Sequence, residues 1–159
     1  MPNNFNYNNR FSIDRRNQER NGYKEYEEDK QRQRAEILGS FNNEWISSGI
    51  DANGVDFCQR AAKCLIENKM SASYIRNIFG ELKRIETKGF DKSHIDFYML
   101  RPKVAYSTAR AKSREMDMSL FREIFEKIIP LVNDSCTFKN MVNMIEAIIA
   151  FHKAEGGKD

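Results

Sequence analysis

From Phe41 onward, apolar residues recur every three or four positions in five successive segments, with short polar breaks between them and hardly any strand-like alternation. A chain patterned this way buries one stripe of each helix by laying the stripes against one another. The pattern therefore predicts an all-α fold, a compact bundle of about five helices. The first segment, about Gly54 to Asn68, places Val55, Cys58, Ala62, Leu65 and Ile66 on one face, with Asn53 as N-cap. The second starts after Ser71 or Ser73, carries Ile75, Ile78, Phe79, Leu82 and Ile85, and stops at Gly89. The third, about Ser93 to Lys112, stripes Ile95, Met99, Pro102, Ala105, Tyr106 and Ala109, and Pro102, lacking a backbone donor, kinks or divides it. The fourth, Ser119 to about Val132, aligns Phe121, Ile124, Phe125, Ile128 and Val132. The fifth, after Thr137, aligns Phe138, Met141, Val142, Ile145, Ile148, Ile149 and His152 before Gly156 and Gly157 end it.

Residues 1–40 differ in kind. Seven of the first twenty-one residues are Asn, and the remainder is rich in Arg and Glu. Little apolar surface is available there to offset an ordering cost of about 1 to 2 kcal/mol per residue. The expected organisation is a flexible arm over 1–40 followed by a helical-bundle domain over 41–159. Within the arm, residues 23–38 contain enough Glu, Lys, Gln and Arg for a transient helix but no sustained apolar stripe. The N-terminus has no apolar signal region, and no apolar run approaches the roughly 20 residues that span a bilayer, so a cytoplasmic protein is expected. Cys58, Cys64 and Cys136 match no zinc spacing and cannot form a paired framework in a reducing compartment.

Two helices carry apolar residues beyond one stripe. Phe57 lies away from Val55 and Ala62, and Met144 and Phe151 lie off the main face of the fifth segment. Such residues need cover on a second side. Either the fifth helix occupies the centre of the bundle, or Phe57, Met144 and Phe151 form an assembly interface.

Charge is distributed unevenly. The net formal charge is only +3, but between Lys69 and Arg114 eleven Lys or Arg face four Asp or Glu, a local balance of +7. On the second helix Arg76, Lys83 and Arg84 point away from the apolar stripe with Gly80 between them, where bare backbone lets a phosphate chain approach. On the third, Lys103 and Arg110 flank the stripe. Solvated charge is the ordinary explanation of a single such face; two adjacent ones with little acidic relief suit phosphate-backbone binding. Tyr98 and Tyr106 are expected in the core, which leaves no aromatic ladder for bases. Catalytic groups are sparse: His94 and His152 are the only histidines, His152 is on an apolar face, and no phosphate loop, HExxH, GxSxG or paired carboxylates occur. The expectation is a binding protein without catalytic residues, metal or cofactor.

The segments MSASYIRNIFGELKRI (70–85), LRPKVAYSTAR (100–110) and EAIIAFHKAEGG (146–157) occur in the order found in the small subunit of type III-A CRISPR effector complexes, and the chain resembles that Csm-complex family over most of 41–159. The resemblance implies a non-catalytic, all-helical subunit, several copies of which stack head to tail along the guide CRISPR RNA and its bound target RNA. Its implied partners are further copies of itself, the backbone RNase subunit and the large polymerase-type subunit. It also implies Arg76, Lys103 and Arg110 as RNA-binding positions, with Lys69 and Arg84 as additions. The long Asn- and Arg-rich arm departs from the family pattern, as does Phe151 where Tyr is common. The competing class is a homotypic helical adaptor whose basic faces pair only with acidic faces of a neighbour.

Overall fold

The computed structural model describes residues 7–112 and 116–158, with side chains from residue 18. It divides into two compact units, Met1–Glu36 and Ile37–Asp159. Helix α1 (Tyr7–Gly39) extends the short helix suggested by the sequence. None of residues 18–36 is buried. The helix there rests on propensity and local pairs: Arg32 meets Asp29 at 3.2 Å, and the Lys30 ammonium stands 4.7 Å from the Tyr26 ring centre.

In the second unit, after the end of α1, follow α2 (Glu44–Ser47), α3 (Ala52–Glu67), α4 (Ala72–Lys88), a 3-10 turn (Phe90–Lys92), α5 (His94–Tyr98), α6 (Leu100–Lys112), α7 (Ser119–Ile128), a 3-10 turn (Ile129–Leu131) and α8 (Ser135–Ala154). The described residues contain no strand, so the all-α expectation holds. No helix among them is long and apolar enough to cross a membrane. Helix α8 is central, packing against α2, α3, α4 and the Phe90–Lys92 turn, while α7 packs on α3 and α6, and α6 on α4 and α5.

Local chemistry sets the ends. The Asp134 carboxylate accepts the Thr137 N–H at 2.7 Å, and the Thr137 hydroxyl accepts the Asp134 N–H at 3.1 Å, so α8 begins before Thr137 rather than after it. That backbone bond from Thr137 holds the Asp134 carboxyl below its usual range. Asp51, not Asn53, caps α3 by accepting the Gly54 N–H at 2.8 Å. Ser71 caps α4, and Gly89, at φ 87°, ends it in a conformation that costs glycine little. The third segment divides at Met99, which puts Pro102 in the first turn of α6, where its missing donor would have had no partner in the helix.

Two stripes differ from expectation. On α3 the buried face is Gly54, Phe57, Cys58, Ala61, Ala62, Cys64 and Leu65, while Val55 is exposed. On α5 and α6 it is Phe97, Leu100, Val104 and Ala111; Ile95 is 79% exposed, Tyr98 66%, Met99 50% and Tyr106 68%. In the third segment two rows of apolar residues share helical spacing, and packing chose between them. Phe97 meets the Phe90 and Phe138 rings at 5.2 and 5.9 Å, edge to face, a fit that Ile95 and Tyr106 do not have.

The assembly reading of Phe57 and Met144 is corrected by the same packing, for both are 0% exposed in the single chain. Helix α2, which the sequence pattern did not reveal, buries Trp45 and Ile46 and covers the second side of α3. The Phe57 ring lies 5.2 Å from Trp45 and 5.7 Å from Phe41. Met144 is enclosed because α8 has helices around it, with its carbonyl 3.7 Å from the Cys58 thiol. Phe151 is only half-buried and keeps a free edge.

The C-terminal residues close onto α4. His152 Nε2 lies 2.9 Å from the Met70 carbonyl oxygen, Gly157 N–H donates to the His152 carbonyl at 2.8 Å, and Ala72 N–H donates to the Lys158 carbonyl at 2.9 Å. A Cβ at Gly157 would stand 2.1 Å from His152 Nδ1, so only glycine fits there.

Candidate nucleic-acid interface

The basic residues of α4 leave the helix on two flanks, and the structure gives the flanks different neighbours. Arg84 turns toward α5 and α6. Its guanidinium donates to Glu81 at 2.9 Å and to Asp96 of α5 at 3.2 Å, and Lys88 reaches the same Asp96 at 3.3 Å. From α6, Lys103 donates to the same Glu81 oxygen at 2.7 Å. Arg84 and Lys103 therefore converge on one carboxylate, which joins the basic side of α4 to that of α6. On the other flank Lys83 shares Glu86 with Lys139 of α8. Helical spacing puts Arg76, seven residues before Lys83, on that flank as well.

These pairs correct the expectation of little acidic relief. Glu81, Glu86 and Asp96 each serve two cations. Their carboxyls are held below the usual range: Glu81 by hydrogen bonds from Lys103 and then Arg84, Glu86 by Lys139 and then Lys83, Asp96 by Arg84 and then Lys88. The same bonds raise the Lys83 and Arg84 values. All these side chains are substantially exposed, with relative areas of 24% to 54%, so solvent screens them and they contribute little to stability. Such a network is chemically exchangeable. An incoming phosphate can take a lysine or arginine from a carboxylate without breaking the core.

Two expected positions remain. Arg110 is exposed on α6, seven residues beyond Lys103 and on its side of the helix. Lys69, with φ 59°, occupies the α3–α4 turn beside a cavity of about 550 Å³ lined also by Ile66, Met70, Ser71, Met116 and residues 156–158. The thirteen residues from Ser71 to Arg84 put it about 20 Å along α4 from the Arg84 cluster. The structure thus brings Arg84, Lys103 and Arg110 onto one surface and leaves Arg76 and Lys69 elsewhere. Gly80 is exposed, and a Cβ there would touch nothing, so no protein contact requires glycine at that position. Sequence reasoning missed Lys88 and Lys139, whose roles depend on carboxylates from other segments.

Of the two histidines, His94 is exposed beside Phe90 at 5.0 Å between ring centres, and His152 is buried on the Met70 carbonyl. Among the described residues, no group of three or more His, Cys, Asp or Glu could hold a metal.

A family model described as Csm2 Type III-A matches residues 52–158. The chain belongs to the Csm2 type III-A family. No curated protein and no solved structure matches it. The match opens at the first residue of α3 and closes at Lys158, whose carbonyl pairs with the start of α4. The Csm2 portion is thus α3 to α8 with its C-terminal clasp, and α1 and α2 lie outside it. As a Csm2 protein, the chain is a structural small subunit of the type III-A CRISPR Csm complex.

Proposed function

We propose that this Csm2 subunit binds RNA without cleaving it, stacking in several cytoplasmic copies along the guide CRISPR RNA and its target RNA and gripping the phosphate backbone through Arg84, Lys103 and Arg110, with Arg76 and Lys69 as outlying contacts. Its protein partners in this reading are further copies of itself, the backbone RNase subunit and the large polymerase-type subunit. The observation that carries the reading is the meeting of Arg84 and Lys103 on Glu81, which makes one cationic surface from two helices in the stretch where the charge balance is +7. Backbone contacts position RNA without reading its sequence, and each one neutralised releases counterions.

The test is an RNA-binding titration of the full chain across a salt series. Changing Lys103 and Arg110 to Ala weakens binding equally for unrelated RNA sequences and lowers the salt slope by about one ion per lost contact. An unchanged slope, or losses confined to one sequence, refutes the backbone reading. Self-association that survives while no RNA binds under any condition favours the homotypic adaptor. RNA cleavage that stays with the folded chain and disappears on His94→Ala refutes the non-catalytic part.

Phe151, the half-buried member of the three residues first considered for assembly, remains the contact we propose for a neighbouring subunit. Phe151→Ser then shortens the filament by size-exclusion chromatography of the reconstituted complex while each copy still binds RNA. Normal assembly of that variant removes the proposal.

A further inference from the structure

Among the described residues of the second unit, the exposed large apolar side chains are Val55, Ile95, Tyr98, Met99 and Tyr106, so four of these five lie on α5, α6 and the residue between them. The same surface carries a run of cations, although Lys103 also meets Glu81 of α4. Helix α6 carries Arg101, Lys103, Arg110 and Lys112 and no acidic residue. Tyr106 is three residues after Lys103 and four before Arg110, the spacings that put side chains beside one another on a helix. Its other helical neighbours, Pro102 and Ala109, are short and exposed, and Tyr106 is 68% exposed. The core takes the opposite side of α6 through Leu100, Val104 and Ala111, so packing leaves this ring in water.

An exposed aromatic between two cations, on a helix without acidic groups, has the chemistry of a nucleobase platform. The ring stacks on a base, and Lys103 and Arg110, about 10 Å apart along the helix, reach the phosphates on either side. A surface made for a protein partner has charge depleted at its centre, and here charge flanks the aromatic directly. We infer that Tyr106 is a base-stacking residue for single-stranded RNA, with Tyr98 at the end of α5 as a second platform. The inference rests on the RNA-binding reading and adds to it an interaction with the base itself.

The experiment measures binding of the full chain to a short unstructured RNA and to an abasic oligonucleotide with the same number of phosphates, for the wild type, Tyr106→Ala, Tyr106→Phe and Tyr98→Ala, with circular dichroism as a folding control. Tyr106→Ala lowers affinity for the RNA by about fivefold to a hundredfold, leaves the salt slope unchanged and leaves abasic binding unchanged, while Tyr106→Phe binds as the wild type does. Tyr98→Ala shows a smaller loss of the same kind. Equal RNA affinity for Tyr106→Ala and wild type overturns stacking while backbone binding stands, because the Lys103 and Arg110 variants still lose affinity. An equal loss on the abasic strand also overturns it. So does normal RNA binding with lost self-association, which would make the row a protein interface. A wild type that binds neither oligonucleotide overturns the RNA reading and stacking together.

Discussion

Replacing Phe57 by Ala separates a core residue from an assembly residue. Phe57 is 0% exposed and stands in a three-ring cluster, 5.7 Å from Phe41 and 5.2 Å from Trp45 between ring centres. Truncation removes the ring's burial and both aromatic contacts and leaves a cavity among rigid neighbours, at a cost of about 3 to 5 kcal/mol. The compact unit has about 120 residues, and at about 2.1 cal/mol/K per residue its unfolding entropy near the melting point is about 0.25 kcal/mol/K. The melting temperature of Phe57→Ala therefore falls by about 12 to 20 °C. Phe151→Ala, at a half-buried position, falls by no more than about 6 °C. The assay is calorimetric melting of the isolated chain beside size-exclusion chromatography of the reconstituted Csm complex. If Phe57→Ala melts within about 3 °C of the wild type yet fails to assemble, the side chain belongs to an interface and the packing argument is wrong.

Further outcomes follow from other contacts. A methyl group at Gly157 would lie 2.1 Å from His152 Nδ1 and 2.5 Å from its carbonyl oxygen, so Gly157→Ala displaces the C-terminal clasp; the Ala72 amide then exchanges faster, and unchanged exchange would show that the clasp tolerates the methyl. Glu81 and Glu86 have folded pKa values below the ordinary 4.5, so their contribution is complete above that value and is lost as pH falls through the folded values. Their exposure keeps it small, and a Glu81→Gln, Glu86→Gln double variant loses less melting temperature than the wild type between about pH 6 and pH 3. Burial pushes the Cys58 thiol up to about 12 and also hides Cys64, whereas Cys136 is exposed; in the native protein a thiol reagent labels Cys136 alone, and equal labelling of all three would contradict the packing. Because Ile37–Asp159 is a compact unit with its own core, removal of residues 1–36 leaves its melting temperature within about 2 °C, and a larger fall would show that the arm supports the bundle.

Much of this Csm2 chain could be read from residue order. The stripe Ile75, Ile78, Leu82, Ile85 ends at Gly89, and the structure buries those four residues and places Gly89 at φ 87°. His152 on its apolar face became a buried histidine bonded to Met70. The candidate site was less legible. The clustering of positive charge and its four acids could be counted, but not which cations those acids hold: Glu81 joins Arg84 to Lys103 of α6, Asp96 of α5 takes Arg84, and Glu86 takes Lys139 of α8, more than fifty residues away. Side chains that meet across helices leave no mark in linear spacing.

Helix identity and most helix ends are local properties. They depend on apolar period, a capping side chain within three residues and a glycine or proline at the boundary, and all of these lie within one or two turns of chain. Burial is not local when a helix has two candidate stripes. The sequence pattern put Val55 on the stripe of α3 and Phe57 off it, but α2, too short to show a period, supplied Trp45 and so decided for Phe57. On α5 and α6 the aromatic pocket of Phe90 and Phe138 accepted Phe97. That choice buried Leu100 and Val104 and turned Tyr98 and Tyr106 outward. Periodicity determines that a helix has a face to bury, and shape complementarity with distant segments determines which face that is.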